Sequence, residues 1–157
     1  MTTEIITNAG YTAAAIGLAD RAKDTLLVIQ YLFVMDDPIS RPTPRIARAL
    51  MNAADRGVAV SILLNRFSHG RAARDAGRRR PVGLQHDNID LRYHTSGSVL
   101  HCKIIVADEL AVLFGSHNLS HWSLTRSHNL SMLIVDPTTA RAIVGLYRPL
   151  FERGKHG

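Results

Sequence analysis

Two long apolar runs with a helical segment between them form the first recognisable unit of the chain. Leu26–Val34 and Val58–Leu64 are almost continuously apolar, which is typical of strands buried on both faces of a sheet. Between them, Thr43 is predicted to cap a helix that has Pro44 in its first turn and ends at Gly57. A strand, a helix and a strand in this order predict a βαβ unit, so the two strands are expected to be parallel.

Further helices and strands are predicted on both sides of this unit. Helical spacing covers residues 12–23, and Asp136 with Pro137 begins a last helix that runs to about Phe151 and bends at Pro149. The other predicted strands are Ile89–Tyr93, Val99–Ala107, Leu110–Phe114 and Ser131–Val135. The second and third of these are expected to form an antiparallel hairpin.

The hairpin organises the second half of the chain. Its turn is predicted at Asp108-Glu109, and it is followed by a polar loop over residues 116–128 with a short helix around Trp122. Together with the βαβ unit, this order predicts an α/β fold in which a mixed sheet is flanked by helices. No linker divides the chain, so we expect a single domain over residues 1–157.

Positive charge is concentrated in one connection. The chain of 157 residues has a formal net charge of +6. Most of that surplus lies in residues 66–80, which carry one aspartate against six arginines: Arg66, Arg71, Arg74, Arg78, Arg79 and Arg80. Arginine binds phosphate through two parallel hydrogen bonds, and long loops of this kind are often functional. We predict that these arginines bind the phosphate backbone of DNA or RNA, a merely solvated loop being the alternative.

The remaining composition narrows the class of protein. Hydrophobic residues make up 46% of the chain, which is enough for a folded core. The longest apolar stretch is far shorter than the ~20 residues of a membrane-spanning helix. The first ten residues lack the pattern of a secretory signal, and the single Cys102 excludes an internal disulfide. We therefore expect a cytoplasmic protein without a membrane anchor.

The densest set of polar side chains lies between residues 101 and 129. Because side chains alternate along a strand, His101 and Lys103 are predicted to share one face. After the hairpin, Ser116 and Asn118 offer short hydrogen-bond donors at the same end of the sheet. A histidine that attacks phosphorus or moves a proton, beside a fixed cation and neutral donors, suits the chemistry of a phosphate diester.

The spacing of these residues resembles that of the phospholipase D superfamily. Its signature, HxKxxxxDxxxxxxGSxN, is matched position for position by His101, Lys103, Asp108, Gly115, Ser116 and Asn118. The chain has one copy of the motif and is similar over most of its length to small single-motif members, the bacterial nonspecific endonucleases. The resemblance implies a homodimer, because one motif cannot reach both sides of a phosphorus atom. It implies no metal and no cofactor, because two lysines supply the positive charge.

The resemblance also implies a role for each residue. His101 of one protomer attacks phosphorus and forms a phosphohistidine, and His101 of the other protonates the leaving oxygen and then activates water. Lys103 and Asn118 stabilise the five-coordinate phosphorus, while Asp108 supports the turn or the dimer contact. The two histidines titrate as a coupled pair, so a bell-shaped pH profile is expected.

One position departs from the family pattern. Asn129 stands where members usually have a glutamate that accepts a hydrogen bond from the nucleophilic imidazole. An amide oxygen can accept that bond but has no charge to stabilise imidazolium. Either activity is reduced, or Glu109 or another acid substitutes, or the site has drifted toward binding. By this alignment, Asn129→Glu is expected to keep or raise turnover.

Three functions remain open at this point. The first is an endonuclease that cleaves DNA or RNA, the second a phospholipid phosphodiesterase, and the third a noncatalytic nucleic-acid-binding or regulatory module, which Asn129 suggests. His117 and His121 have the spacing of two metal ligands on a helix, but no carboxylate or cysteine completes the set, so no metal site is predicted. Trp122 and Tyr93 could stack on bases, although we expect Trp122 to pack in its loop or at the dimer contact.

Overall fold

The computed structural model describes residues 1–35, 41–66 and 83–156, which form an α/β fold around a seven-stranded mixed sheet. In chain order its elements are β1 (Thr2–Thr7), α1 (Asn8–Arg21), β2 (Thr25–Gln30), α2 (Pro42–Asp55), β3 (Ala59–Asn65), β4 (Ile89–His94), β5 (Lys103–Ala107), β6 (Ala111–Gly115), α3 (His121–Thr125), β7 (Leu130–Val135) and α4 (Pro137–Glu152). The predicted fold class is therefore confirmed.

The strand order is β1-β7-β6-β5-β2-β3-β4. β2, β3 and β4 are parallel, as predicted for the first two, and the remaining pairs are antiparallel, including the predicted hairpin of β5 and β6. Gln30 at the end of β2 lies opposite Lys103 at the start of β5. The ends of β2, β3 and β6 and the start of β5 therefore lie together where the strands terminate. We call this end of the sheet the site edge.

Helices cover both faces of the sheet. α1 and α2 contribute most of the helical residues to one core cluster, together with Leu124 of α3, and α4 packs in a second cluster. In β2, Val28 belongs to the first cluster and Ile29 to the second. Because both faces are covered, the strand has no polar face, which explains the continuous apolar run in the sequence.

Several boundaries differ from the predicted ones. β1 was not predicted, because only Ile6 in it is buried and the segment has no apolar run. β2 ends at Gln30 instead of Val34, and β5 begins at Lys103 instead of Val99, so His101 precedes the strand. The chain on either side of these strands stays close to the sheet, since the Tyr31 N–H donates to the Cys102 carbonyl oxygen at 3.0 Å.

The helix ends also need correction. α1 covers Asn8–Arg21 instead of residues 12–23. The N-cap of α2 is Arg41, and Thr43 lies buried within the helix instead of capping it. α4 begins after Asp136, whose carboxylate accepts the Thr139 N–H as predicted for a cap, and the helix continues through Pro149 to Glu152. None of the helices described here is long and apolar enough to cross a membrane.

Candidate active site

The site edge brings together the residues of the predicted motif. His101 and Lys103 lie just before and at the start of β5, and Gly115 and Ser116 lie at and just after the end of β6. Because β5 and β6 are antiparallel, the start of one lies beside the end of the other. Asn129 immediately precedes β7, whose first residues pair with this end of β6.

His101 and Lys103 are in direct contact. The Lys103 Nζ atom lies 3.1 Å from the His101 Nε2 atom and donates a second hydrogen bond to the His101 carbonyl oxygen at 2.7 Å. An ammonium group has donors only, so Nε2 is the acceptor and the proton of the neutral ring is on Nδ1. The Tyr31 ring lies under both groups, 4.7 Å from the imidazole centroid and 5.1 Å from Nζ. In the contact between Nζ and Nε2, the lone pair of Nε2 points toward the lysine.

The two residues differ in how far they are buried. His101 is exposed, whereas Lys103 is only 5% exposed at the base of the site. This burial lowers the pKa of the Lys103 ammonium from the usual value of 10.5. A cation with little water around it interacts more strongly with an anion that reaches it, because the local dielectric constant is low. An exposed histidine above a desolvated cation is suited to phosphate chemistry.

Gly115 and Ser116 fix the start of the motif's second half. A methyl group at Gly115 would overlap the Leu130 carbonyl oxygen and Ser131, so only glycine allows β6 to approach β7 this closely. The Ser116 Oγ atom donates to the Asn129 Oδ1 atom at 2.8 Å and accepts the Leu130 N–H at 3.1 Å. Ser116 therefore joins the two segments of the site instead of remaining free for a substrate.

Asn118 is oriented by the loop that follows. Its backbone N–H donates to the Ser123 Oγ atom at 2.9 Å. Its Oδ1 atom is buried and accepts no hydrogen bond within the described part of the chain. The role predicted for Asn118, a hydrogen-bond donor to phosphate through its amide nitrogen, stays a prediction.

The role predicted for Asn129 needs correction. Its Oδ1 atom accepts from Ser116, and its Nδ2 atom donates to the Ser123 carbonyl oxygen at 2.9 Å and to the Ser123 Oγ atom at 3.1 Å. Within the protomer, this side chain therefore holds α3 and the loop after β6 instead of contacting His101. A glutamate cannot donate the hydrogen bonds that the Asn129 Nδ2 atom makes to Ser123. The expectation that Asn129→Glu keeps or raises turnover stays a prediction. Glu109, the predicted substitute, belongs to the hairpin turn at the other edge of the sheet.

Asp108 follows the end of β5 that lies opposite to His101, away from the site edge. Its carboxylate accepts the backbone N–H groups of Lys23, Asp24 and Thr25 at 2.8–3.3 Å. Burial raises the pKa of the Asp108 carboxyl, but these hydrogen bonds outweigh it and the pKa falls below the usual 3.8. The residue joins the hairpin to the start of β2, which fits its predicted supporting role.

His117 is a structural residue. It is fully buried, stacks on the Tyr11 ring at 4.4 Å and uses both ring nitrogens within the protein, Nδ1 with Ser131 at 2.7 Å and Nε2 with Asn8 at 2.9 Å. Burial lowers the pKa of His117 to about 4, so the ring is neutral near pH 7. The pair His117 and His121 is therefore not available to a metal. The described residues contain no group of three or more metal-ligating side chains.

Only one of the six predicted phosphate-binding arginines lies within the described residues. Arg66 is exposed and directly follows Asn65, whose Oδ1 atom accepts the Leu100 N–H at 2.9 Å. Because Leu100 precedes His101, the arginine-rich connection begins beside the site. The others lie outside the described residues: Arg71, Arg74, Arg78, Arg79 and Arg80.

Sequence reasoning missed two residues that shape the site. Tyr31 was predicted only as part of a strand, and its position opposite the start of β5 depends on the register of a distant pair. Asn8 is the first residue of α1 and was not predicted to contact the site. Its Oδ1 atom accepts from the Asn129 N–H at 3.2 Å and from His117, and its Nδ2 atom donates to the Ser127 carbonyl oxygen. No local pattern marks either contact.

Comparison with known proteins identifies a matching family and similar structures. Residues 16–153 match the model of a protein family described as "Cardiolipin synthase, PLD-like domain". Phospholipase D Z of Dictyostelium discoideum is 32% identical over 88 residues, which are 56% of this chain and 21% of that protein. The chain therefore spans about one fifth of the length of this curated relative.

Two solved structures are similar over nearly the whole chain. The phospholipase D family member Nuc from Salmonella typhimurium superposes with a TM-score of 0.78 at 23% identity, covering 98% of this chain and 96% of Nuc. NucT from Helicobacter pylori superposes with a TM-score of 0.77 at 16% identity, covering 99% of both chains. At these identities the likeness shows the fold.

Proposed function

This chain belongs to the phospholipase D-like domain family, and from that premise we propose that it is a phosphodiesterase whose nucleophile is His101. We propose further that it is a metal-independent endonuclease of DNA or RNA and that two copies form the working enzyme. The observation that carries the proposal is the 3.1 Å contact between the His101 Nε2 and Lys103 Nζ atoms at the site edge. It joins an exposed nucleophile to a buried cation.

The contact supports a defined first step. In the free protein, Lys103 donates to the Nε2 lone pair, so the ring carries its proton on Nδ1 and Nε2 is the nucleophilic atom. When a phosphate diester binds, its nonbridging oxygens take over the ammonium donors and release the lone pair. A bond then forms between Nε2 and phosphorus while the bond from phosphorus to the leaving oxygen breaks. Lys103 and the Asn118 amide stabilise the charge that develops on the nonbridging oxygens.

The leaving oxygen needs a proton from the side of phosphorus opposite to the nucleophile. In the proposed homodimer, His101 of the second protomer donates that proton. It then removes a proton from the water that attacks phosphorus, and the bond between Nε2 and phosphorus breaks. One histidine is thus the nucleophile, and the other is first the acid and then the base. Neither step needs a metal because two lysines supply the positive charge.

A nucleic-acid substrate is supported by charge near the site. The net charge is +6, and Arg66 places the start of the arginine-rich connection next to Leu100 and the site. Phosphate contacts by arginine supply most of the affinity of nonspecific nucleic-acid binding and make it strongly dependent on salt. Nuc and NucT share this fold, which is compatible with the proposal.

The test is cleavage of labelled single- and double-stranded DNA and RNA in excess EDTA. The wild type is expected to cleave at least one of the four, and His101→Ala is expected to lose the activity. His156→Ala is the matched control, since His156 is exposed and lies outside the site. Metal-dependent cleavage, or cleavage by His101→Ala at the wild-type rate, contradicts the proposal. Tight binding without turnover supports the noncatalytic module instead.

A phospholipid phosphodiesterase is the second candidate. The relative named phospholipase D Z and the family description, which names cardiolipin synthase, favour it. The same His101 and Lys103 would attack the phosphodiester of a lipid head group. Phosphatidylglycerol and cardiolipin vesicles, assayed in EDTA beside the nucleic acids, separate the two functions. Hydrolysis of lipid without cleavage of any strand would establish the second.

A further inference from the structure

The only tryptophan of the chain is not used in the protomer's core. Trp122 lies on α3, and its backbone carbonyl oxygen accepts the N–H groups of Arg126 at 2.8 Å and Ser127 at 3.1 Å. The backbone is therefore fixed, yet the side chain is 67% exposed. Trp122 therefore does not pack in its loop, whereas its other predicted place, a dimer contact, stays a prediction. A large aromatic ring on an anchored helix is available to a ligand.

Trp122 forms part of a groove that opens beside the site. The groove has a volume of about 530 Å³ and lies between the chain after β2, the start of α2 and the loop that carries α3. The residues that characterise its walls are Leu32, Val34, Arg41, Asn118, His121 and Trp122. A volume of roughly 300–1,000 Å³ is usual for sites that bind small molecules or parts of larger ligands.

The groove is continuous with the candidate active site through two residues. Asn118 and Asn129 both line it. The Asn118 Oδ1 atom is buried, and the amide nitrogen of the same side chain is the donor proposed above for the phosphate. A nucleotide whose phosphate reaches this amide nitrogen therefore has its sugar and base close to the groove.

We propose that the groove binds one base of the nucleic-acid strand next to the scissile phosphate, with the base stacked on Trp122. This inference rests on the proposed nuclease function and deepens it by adding a base-stacking subsite. Every base has an aromatic face, so stacking tolerates any sequence. A base must be unpaired to stack on a side chain, so the subsite favours single strands or frayed duplexes.

The chemistry of the walls favours a base over a lipid chain. Arg41, Asn118 and His121 line the same groove as the indole and bring polar groups to it. A nucleobase combines an aromatic face with hydrogen-bonding edges, and this mixed lining matches it. An acyl chain gains little from polar walls, because desolvating those groups costs free energy that its contacts do not return. A lipid surface is therefore an outcome that the test must expose.

The test compares two strands of equal charge. Binding of a fluorescein-labelled ten-nucleotide single strand and of an abasic strand of the same length is measured by anisotropy in the inactive His101→Ala protein. Adding Trp122→Ala is expected to weaken binding of the base-containing strand roughly 10- to 100-fold, since that is the range of base stacking on an aromatic side chain. Trp122→Phe is expected to retain most of the affinity. Neither substitution should change binding of the abasic strand.

A control variant, Trp122 fluorescence and checks of folding and assembly accompany the binding measurement. Leu146→Ala is the matched control, because Leu146 is 70% exposed on α4 and belongs to the other face of the sheet. In the protein that retains it, Trp122 fluorescence is expected to be quenched by the base-containing strand and not by the abasic strand. Circular dichroism and the sedimentation coefficient of Trp122→Ala should match those of its parent.

Several results would overturn the stacking subsite. These are equal losses on both strands, no loss on either, a changed oligomeric state of Trp122→Ala, or a fluorescence response to phosphatidylglycerol vesicles but not to strands. If the proposed nuclease function itself is wrong, the wild type cleaves no strand in EDTA, and this result differs from all of those above. Normal cleavage of single strands by Trp122→Ala would reject the stacking subsite alone.

Discussion

Lys103 and His101 are in contact but differ in burial, and their proposed roles differ accordingly. The lysine is buried beneath the histidine, and the contact between them determines which imidazole nitrogen is free of a proton. Sequence spacing predicted that the two share one side of the chain, and the contact confirms it. Spacing could not predict the burial of Lys103 or the Tyr31 ring beneath it, because both depend on the pairing of β2 with β5.

Substitution of Lys103 tests the role of the buried cation. Lys103→Met removes the charge while filling a similar volume, and loss of one preorganised donor to the transition state lowers kcat by about 10²–10³-fold. Steady-state cleavage assays measure the effect. Lys155→Met is the control, because Lys155 is exposed and distant in the chain from the motif. A kcat within twofold of wild type would show that Lys103 does not act on the phosphate.

The pH dependence gives a second view of the same residue. Because burial lowers the pKa of Lys103, its ammonium loses its proton at a lower pH than an exposed lysine does. The titration of the Lys103 amine itself, followed by NMR, is therefore expected to have its midpoint below pH 10.5. A midpoint at or above that value would contradict the burial of this ammonium.

The substitution Asn129→Glu tests whether the site tolerates the family's usual glutamate. Asn129→Glu removes both hydrogen bonds that Nδ2 donates to Ser123 and introduces an unpaired carboxylate, so the free energy of unfolding should fall by about 1–3 kcal/mol. Urea unfolding at pH 7 measures it. Unchanged stability with raised turnover would instead restore the alignment-based role of this position beside His101.

Among the elements, the β5–β6 hairpin shows most clearly how a motif residue can serve the fold. Asp108 and Glu109 have φ values of 52° and 54°, which place both turn residues in the left-handed region. Asp tolerates this region better than most residues. The two residues lie in a three-residue loop between the paired Ala107 and Ala111, and the Leu110 N–H closes the turn on the Ala107 carbonyl oxygen at 2.9 Å. The Asp108 carboxylate then fixes the turn to the chain before β2.

Asp108→Asn separates this structural role from catalysis. Asparagine also accepts left-handed geometry, so only the charge and one acceptor atom are lost. Hydrogen bonds to a charged group contribute about 1.5–3 kcal/mol each, so the variant should be less stable at pH 7 by an amount in this range. Its kcat should be unchanged, and urea unfolding with cleavage assays checks both. A large loss of kcat at unchanged stability would place Asp108 in the chemistry.

The difference in stability between the wild type and Asp108→Asn is expected to depend on pH in one direction. The pKa of Asp108 is lowered on folding, so its carboxylate stabilises the protein above the unfolded value of about 3.8 and loses that effect as the pH falls through the lowered folded value. The stability gap between the wild type and Asp108→Asn should therefore shrink below pH 3.8. A gap that stays constant down to pH 2 would point to a cause other than charge.

The sequence predicted elements where the apolar pattern was strong and missed them where it was weak. β2 and β3 follow from continuous apolar runs that are covered on both faces, and α2 follows from helical spacing of the residues that pack in the first cluster. β1 has one buried side chain, so only its pairing with β7 identifies it as a strand. Val99 is 67% exposed and lies outside the sheet, which is why the predicted strand at 99–107 begins four residues too early.

At the scale of the whole molecule, the proposed mechanism needs two protomers. The site edge of one protomer presents a single His101, while the reaction needs a nucleophile and an acid on opposite sides of phosphorus. The sequence could suggest this requirement through the motif, but the surface by which two copies would meet depends on side chains distributed over several elements. The proposed dimer therefore needs a functional test.

A heterodimer of wild-type and His101→Ala chains tests whether the site is shared. Two affinity tags on coexpressed chains allow the mixed dimer to be purified. With a shared site, each mixed dimer lacks either the nucleophile or the acid, so activity should fall by about 10²-fold or more relative to the wild type. Half of the wild-type activity would instead indicate two independent sites and contradict the mechanism.

The most direct test of the account is capture of the covalent intermediate. A strand labelled with ³²P at the scissile phosphate is mixed with excess protein in EDTA and quenched after less than one turnover. The account predicts label on His101 of the wild type, labile to acid and stable to base as expected for a phosphorus–nitrogen bond, and no label on His101→Ala. Cleavage by the wild type with no labelled protein, or equal labelling of His101→Ala, would contradict attack by this histidine.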